Sequence, residues 1–591
     1  MDQFVVIPDH EAASAVGCPP WNPTHTIAHA SGRPWIRARL TSSSLTCVRA
    51  GGNTVALIGP GDPTSPALER AVANCRTAVD LDRVVTSIPG LFHVIATIGT
   101  DGVRIQGTAS GVRQVFYTRY HDGWWVSDRA RTLAEMTGAP LDHAALALRL
   151  LEPMPHPLGQ RALWETIHTL PSDSWLHLDT RGQQRVCRWW QPPEQRNSLP
   201  TGAQEVRRAL QTSVRLHLQG RTCVSSELSG GFDSTTLLFL ATQERPVLAV
   251  TAESRDPLDD DRDWADLAIL HSERVDHHVV AAHDVPLVYA DLDQAVEPLD
   301  EPSTGIASRA RVLAMTLPGR AAGADVHLTG HGGDHLFVGL ATLWADMLTR
   351  HPLTAARRLA IYRGMFRWSR ADMARQLLLP TSYRRWLASR SLSGTGADPM
   401  YPFLTWGLGA TIPPWTTAWG TDVIREEVSR AARTTTPLAS TPGRHLELDG
   451  LQDGARLVRA LTDITAHAGL AMSAPFFDDR VIEAALRVRV PDRVQPHRYK
   501  PLLAEAMREV IPDILLQRTT KGVGDMAQAL GLRTHADFLG KLWSESRLAD
   551  RGLVDATHLR NLCANPDSPE LDNGSLLTTV ACELWLRTLH D

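Results

Sequence analysis

Cysteine is scarce and scattered in this chain. The seven residues, Cys18, Cys47, Cys75, Cys187, Cys223, Cys563 and Cys582, form no Cys-x-x-Cys pair, so neither a disulfide framework nor a zinc site is expected. No basic stretch followed by an apolar run opens the chain, which argues against a signal peptide. No apolar run approaches the roughly 20 residues that span a bilayer. A reducing cytoplasm is the expected setting, with no membrane partner. Positive charge is not in surplus either. The formal net charge is -5, whereas a protein that coats nucleic acid usually has a basic balance, so no nucleic-acid partner is expected. Internal repeats and low-complexity segments are missing as well.

Apolar residues are plentiful, 43% of 591, in a chain long enough for roughly two to four domains. Residues 1 to about 190 read as β-rich. Runs such as Phe92–Ile98, Val112–Tyr117 and Trp124–Val126 are bounded by Gly and Asp turn signals, the last by Asp122-Gly123. The polar, proline-rich run from Gln191 to Gly202 is the best linker. It separates an expected first domain, 1–190, from a second, 203–591. Beyond it the pattern changes. Ala203–Leu218 has helical spacing, a strand begins at Thr222–Val224, and Leu237–Leu240 continues a helix. Pro246–Thr251, His277–Val280 and Val326–Thr329 read as further strands, with a helix over Trp264–Leu270. Such alternation predicts a doubly wound parallel sheet with helices on both faces. From about residue 341 the chain reads as a helical extension. The expected fold class is therefore α/β.

Ser229-Gly230-Gly231-Phe232-Asp233-Ser234 lies between a predicted strand and a predicted helix. Glycines let the backbone approach an anion, and a helix start offers unpaired N–H groups and a positive dipole end. Ser229 and Ser234 add hydroxyl donors. Asp233 would repel a phosphate unless a cation lay between them, which points to Mg²⁺. No Gly-Lys-Ser/Thr is present, so this is not a Walker loop. A second strand runs into a glycine-rich turn at Thr329-Gly330-His331-Gly332-Gly333-Asp334-His335. Ligands of open α/β sheets bind at the carboxyl ends of strands, so Asp233 and Asp334 are expected to share a Mg²⁺. The alternative for Asp334 is a helix N-cap. Asp300-Glu301-Pro302 is a third acidic element, suited to orienting the nucleotide or a basic residue, or to a solvated turn.

These motifs together resemble the asparagine synthetase superfamily. SGGFDS is similar to its pyrophosphate loop and Gly330–Phe337 to its G-x-G-S-D-E-L-F element. Asp300-Glu301-Pro302 resembles D-E-P, and Pro475-Phe476-Phe477-Asp478-Asp479-Arg480 resembles P-F-L-D-x-R. Tyr499-Lys500-Pro501-Leu502-Leu503 and Arg518-Thr519-Thr520-Lys521-Gly522 resemble K-x-L-L and R-x-K-x-G. The resemblance implies ATP and Mg²⁺ as cofactors, and Ser229, Gly230, Gly231, Asp233, Ser234, Thr251, Gly330 and Gly332 as the nucleotide set. It also implies Asp233 and Asp334 as metal ligands, and Lys521 as a catalytic cation. Residues 1–190 resemble the family's glutaminase-like, Ntn-type sandwich domain.

Departures from the pattern narrow the expectation. Glutamine-dependent members begin the mature chain with cysteine, whereas residue 2 here is Asp2, so the first domain is expected to be inactive. Ammonia users carry a glutamate four residues before the P-F-L-D proline, and here that residue is Ala471. His331 stands where relatives have Glu or Tyr. Two branches adenylate a carboxylate and use an amine of the same substrate: β-lactam synthetases and lasso peptide cyclases. The G-x-G-G-D and P-F-x-D-D-R spellings resemble the second. That branch implies an AMP-forming macrolactam synthesis on a precursor core peptide, with a leader peptidase and a leader-binding protein as further partners. His331 is the candidate base for the amine. Intramolecular amide formation as in β-lactam synthetases, ammonia- or glutamine-dependent asparagine synthesis, a PP-loop enzyme that modifies RNA, and a non-catalytic scaffold are the alternatives. The arginine-rich segment from Arg350 to Arg390 reads as helices with a basic face, either for an acidic peptide or partner protein, or simply solvated.

Overall fold

The computed structural model describes residues 2–9, 19–40, 45–61, 66–99, 101–121, 123–179, 181–379, 381–395, 401–519, 525–568, 570–571 and 573–589. Its first part contains β1 (Gln3–Val6), β2 (His25–Ala28), β3 (Pro34–Arg39), β4 (Leu45–Ala50), β5 (Asn53–Ile58), β6 (His93–Ile98), β7 (Gly102–Gln106), β8 (Phe116–Tyr120), β9 (Gly123–Ser127), β10 (His168–Thr169), β11 (Ser174–Leu178) and β12 (Gln184–Arg188). They form two antiparallel sheets, ordered β10-β8-β9-β1-β3-β2 and β12-β11-β7-β6-β5-β4. The period-2 alternation of strands explains how they stack. In β1, Phe4 and Val6 enter a core shared with Ile58, Ile95 and Leu176 of the second sheet. Val5 points the other way, into a cluster with Leu133, Ala145 and Leu148 of the helices Ala130–Thr137 and His143–Leu148. The outer face of the second sheet, with Val55, Leu57 and Val94, is covered by Leu68, Val72 and Val85 from the helices Pro66–Ala73 and Leu81–Ser87. This is the expected sandwich, in four layers.

One predicted strand is shorter than the sequence suggests. The run Val112–Tyr117 becomes β8 only from Phe116, because residues 108–113 close on themselves. Thr108 Oγ1 accepts from Arg113 N at 3.1 Å, and Thr108 N donates to Arg113 O at 3.2 Å.

The second part is built on β13 (Val224–Glu227), β14 (Val247–Ala252), β15 (Val275–Val280), β16 (Val326–Leu328) and β17 (Ala471–Ser473), all parallel in the order β15-β14-β13-β16-β17. Helices cover both faces, as expected. Val224 packs into the cluster that holds the helices Leu199–Leu218 and Phe232–Glu244. Its neighbour Ser225 points the opposite way, so close to the helix Arg309–Ala321 that a Cβ on Gly319 would meet Ser225 Oγ at 2.2 Å. The order changes direction at β13: β14 lies on one side, while β16 lies on the other. The crevice at that switch point is where ligands of such sheets bind. No helix among the described residues is long and apolar enough to cross a membrane.

Residues 191–198 are a connection, but a strapped one. Arg196 N and Asn197 N both donate to Arg487 O, at 2.8 and 2.9 Å, and Arg444 Nη2 donates to Pro193 O at 2.9 Å. Leu199 to Gly202, read as linker, are instead the first turn of Leu199–Leu218, with Pro200 at its start, where its missing N–H costs nothing.

Candidate functional site

β13 and β16 are neighbours in register, so the two glycine-rich turns that follow them lie side by side. Gly231 is the N-cap of Phe232–Glu244. Gly332, at φ 102, is the N-cap of the short helix Gly333–Phe337, so Asp334 is not the cap and its carboxylate belongs to the crevice. Absent side chains allow the approach. A Cβ on Gly333 would stand 2.2 Å from Asp233 Oδ1, and one on Gly330 would stand 3.1 Å from Asp233 Cβ. Gly230, at φ 68, meets the next helix on its other side, where a Cβ would lie 2.7 Å from Asp261 O. The loop is tied within itself: Ser234 Oγ accepts from Ser229 N at 3.1 Å and donates to Gly231 O at 3.2 Å. Ser229 is exposed, whereas Ser234 is buried.

Asp233 and Asp334 converge on one cation, the ammonium of Lys500. Its Nζ contacts Asp233 Oδ2 and lies 2.7 Å from Asp334 Oδ1. The Lys500 side chain is 1% exposed. Its backbone is left-handed, φ 41, immediately before Pro501, a conformation that side-chain sterics disfavour. Tyr499 OH donates to Asp334 Oδ1 at 3.1 Å, and its ring stacks on Phe232 at 5.8 Å. Two carboxylates already sharing one positive charge, beside two glycine-rich turns, are a donor set suited to Mg²⁺ and phosphate oxygens. The two expected metal ligands therefore meet on the same ammonium. Lys500, absent from the expected site residues, stands between its members.

Arg518 fixes the outer edge. It is buried and donates to Ser229 O at 3.2 Å and to Asp260 Oδ1 at 2.9 Å, and it also pairs with Asp261. Lys521 lies outside the described residues. Thr251 does not face the crevice: it is fully buried, and its hydroxyl donates to Leu228 O at 2.7 Å, supporting the loop from within. His331 belongs to a chain of polar contacts. Thr329 Oγ1 donates to Glu227 Oε1 at 3.1 Å and lies 2.6 Å from His331 Nδ1. The only hydroxyl proton goes to the carboxylate, so Nδ1 carries the imidazole proton in the neutral ring. Nε2 is then left with the lone pair a base needs.

Other motif residues serve the junction between the two parts. Asp300-Glu301 is not a solvated turn: it orients basic residues, one of the roles expected of it. Asp300 Oδ1 accepts from Arg131 N at 2.9 Å, and Glu301 pairs with Arg149 at 3.1 Å and Arg459 at 2.8 Å. Burial pushes the Asp300 carboxyl up to about 6. Asp479 receives Ala109 N and Ser110 N at 2.9 and 3.0 Å. Burial pushes it up to about 7. Two of the three departures from the family pattern share a cavity. Asp2 and Ala471, the first residue of β17, both line a cavity of about 530 Å³ with His93, Arg113, Asp128 and Ser473. Burial lowers His93 to about 3 and raises Asp128 to about 7.

Comparison with known proteins gives this geometry a context. The family model described as asparagine synthase matches residues 205–587. A protein named "putative asparagine synthetase (glutamine-hydrolyzing)" from Mycobacterium tuberculosis strain H37Rv is 27% identical over 330 residues, 54% of this chain and 47% of the relative. Its counterpart in Mycobacterium bovis matches equally. The chain thus spans about half the length of the curated relatives it matches. Among solved structures, the allosteric regulatory enzyme of purine biosynthesis overlaps at 9% identity and a TM-score of 0.21, covering 49% of this chain and 75% of that one. Glutamine phosphoribosylpyrophosphate amidotransferase from B. subtilis overlaps at 10% identity and a TM-score of 0.19, covering 57% and 76%.

Proposed function

Because the chain belongs to the asparagine synthase family, we propose that it is an ATP-dependent, AMP-forming amide ligase that closes a macrolactam within a peptide, as lasso peptide cyclases do. The observation that carries the amide-ligase reading is the convergence of Asp233 and Asp334 on one cation between two glycine-rich turns. The intramolecular amine is favoured by Ala471, which stands where ammonia-using relatives carry a glutamate and lines the cavity beside β17.

In this reading a side-chain carboxylate of the core peptide attacks the α-phosphorus of ATP. The bond to pyrophosphate breaks, and a mixed acyl-adenylate forms. Ser229, Gly230 and Gly231 receive the departing pyrophosphate through loop N–H groups and the start of Phe232–Glu244. Asp233 and Asp334 would hold Mg²⁺, which neutralises the phosphate charge. Lys500 keeps the two carboxylates together, and Lys521 adds positive charge at the α-phosphate. The peptide's N-terminal amine then attacks the acyl carbon, and AMP leaves. The amine must be neutral, and its proton goes to His331 Nε2. Bringing amine to adenylate within one peptide is chiefly an entropic task for the pocket. The precursor peptide is the substrate, and a leader peptidase and a leader-binding protein are its upstream partners.

The test is to incubate the purified enzyme with ATP, Mg²⁺ and a leaderless precursor peptide. The expected result is loss of one water from the peptide, matched by AMP. ADP in place of AMP would overturn adenylation. AMP formed with aspartate and ammonia, but with no peptide, would establish asparagine synthesis instead.

A further inference from the structure

From Arg350 to Arg390 the chain carries ten arginines and a single acid, Asp372, in a protein of net charge -5. Few of these charges are used internally. Among the described residues, Arg375 with Asp372 at 3.4 Å is the one ion pair of the segment. Arg384 donates to Thr435 O at 2.8 Å, and Arg358 Nη1 meets His497 Nδ1 at 3.0 Å. Arg357, Arg367, Arg370 and Arg385 are exposed.

The same segment also exposes large apolar side chains. Leu353 is 87% exposed and Leu378 76%, with Met365, Phe366 and Leu379 each about half exposed or more. On the helix Pro352–Met365, Leu353, Arg357, Ile361 and Met365 recur every fourth residue, which makes one exposed row. The opposite row, Ala355, Leu359 and Tyr362, is buried. A merely solvated helix would show charge in that outer row without the large aliphatic groups.

The helix that carries this row is joined to elements of the cleft. His497, the partner of Arg358, lies three residues before Lys500. Tyr362 OH donates to Gly339 O at 3.5 Å, just beyond the helix Gly333–Phe337 that carries Asp334. We propose that the face formed by Pro352–Met365 and Arg370–Leu378 docks an acidic, leucine-like segment of the peptide substrate and leads it to the Asp233–Lys500 cleft. The proposal rests on the reading that the substrate is a polypeptide. Charge complementarity selects the acidic character, and the exposed aliphatic row selects a polypeptide over a nucleic acid, which would want aromatic stacking. Tethering the substrate beside the cleft raises its effective concentration there.

The experiment uses the full chain with ATP and Mg²⁺. The probes are a fluorescein-labelled peptide of about 20 Glu, Leu and Gly residues, long enough to span the 14-residue helix Pro352–Met365, its Lys counterpart, and an oligothymidylate of the same length. The Glu peptide is expected to bind at least about tenfold tighter than the Lys peptide, and less tightly as salt rises. The triple variant Arg357→Glu, Arg367→Glu, Arg370→Glu should lose about tenfold or more, with melting temperature and ATP binding unchanged. Leu353→Ser, at a site too exposed to affect folding, should weaken the same peptide. Equal binding by the triple variant overturns the proposal, as does preference for the oligothymidylate through the same arginines. Arginine-dependent binding without AMP from any peptide upholds the surface and counts against the ligase reading alone. AMP formed from a peptide with the same KM in the triple variant does the reverse.

Discussion

Lys500 holds a backbone conformation that its own side chain disfavours, and the two carboxylates it joins are the reason to keep it there. Lys500→Met leaves Asp233 and Asp334 facing each other without that charge. AMP formation should fall by about 10²-fold or more, the scale of losing one preorganised electrostatic group. Lys500→Arg should not restore it, because a planar fork cannot replace a point charge. Single-turnover AMP release measures both. Gly333→Ala places a methyl 2.2 Å from Asp233 Oδ1, whereas Gly364→Ala meets nothing within 4 Å. The first should abolish ATP binding in calorimetry, and the second should leave it intact. Thr329→Val keeps the shape but removes the hydroxyl between Glu227 and His331. The pH–rate profile for amide formation should then move and its maximum fall; an unchanged profile would remove His331 from the reaction. At this scale the sequence was legible in part. Asp233 and Asp334 are readable from their glycine-rich turns. Lys500 had a signal that composition carries: the chain has three lysines, Lys500, Lys521 and Lys541, and two lie in the motifs. Thr251 was readable as the end of a strand, but the pattern does not say that its hydroxyl turns in to hold Leu228.

Among elements, those with strong periodicity or clear punctuation are the ones the sequence discloses. β13 to β16 follow from short apolar runs ahead of turns. β17 does not, since Ala471–Ser473 is three residues long and exists because β16 pairs with it. The stretch 199–202 looked like linker because proline and glycine usually break helices, yet proline suits a first turn. The junction was the least legible element of all. P-F-F-D-D-R reads as a motif, but its Asp479 acts by receiving two N–H groups from residues more than 350 positions earlier, and no local pattern reports such a contact. Asp479→Ala would strand Ala109 N and Ser110 N in a buried place. We expect a loss of about 2 kcal/mol in urea unfolding and faster proteolytic cleavage within 191–198. An unchanged urea midpoint would show that water replaces the carboxylate without cost.

Across the whole molecule, the groups that burial shifts furthest lie inside, and they act in two directions. Burial lowers His93, His217 and His445 to about 3 and His156 and His327 to about 4. Each folded value lies below the ordinary histidine value of about 6.5. The stability each contributes is therefore fully present above that pH, and is lost as the pH falls toward the folded value. Burial raises Asp128, Asp449 and Asp479 to about 7 and Asp300 to about 6. These gain in the same interval, because the folded state holds protons that the unfolded state has released. A bare pH–stability curve mixes both sets, so a single substitution must separate them. His327 sits in β16, fully buried, with Nδ1 against Ser225 Oγ at 2.9 Å. His327→Asn can keep the contact with Ser225 and removes the proton site, while leaving the carboxylates common to both proteins. Between pH 6.5 and 5.0 the native chain should lose about 1.5 kcal/mol more than the variant, since the unfolded imidazole is half protonated at the start of the interval and the full slope of about 1.4 kcal/mol per pH unit is reached only below it. Urea unfolding of both proteins at the two pH values measures the difference, and parallel curves would mean that the imidazole in the central sheet is already protonated or solvated in the folded state.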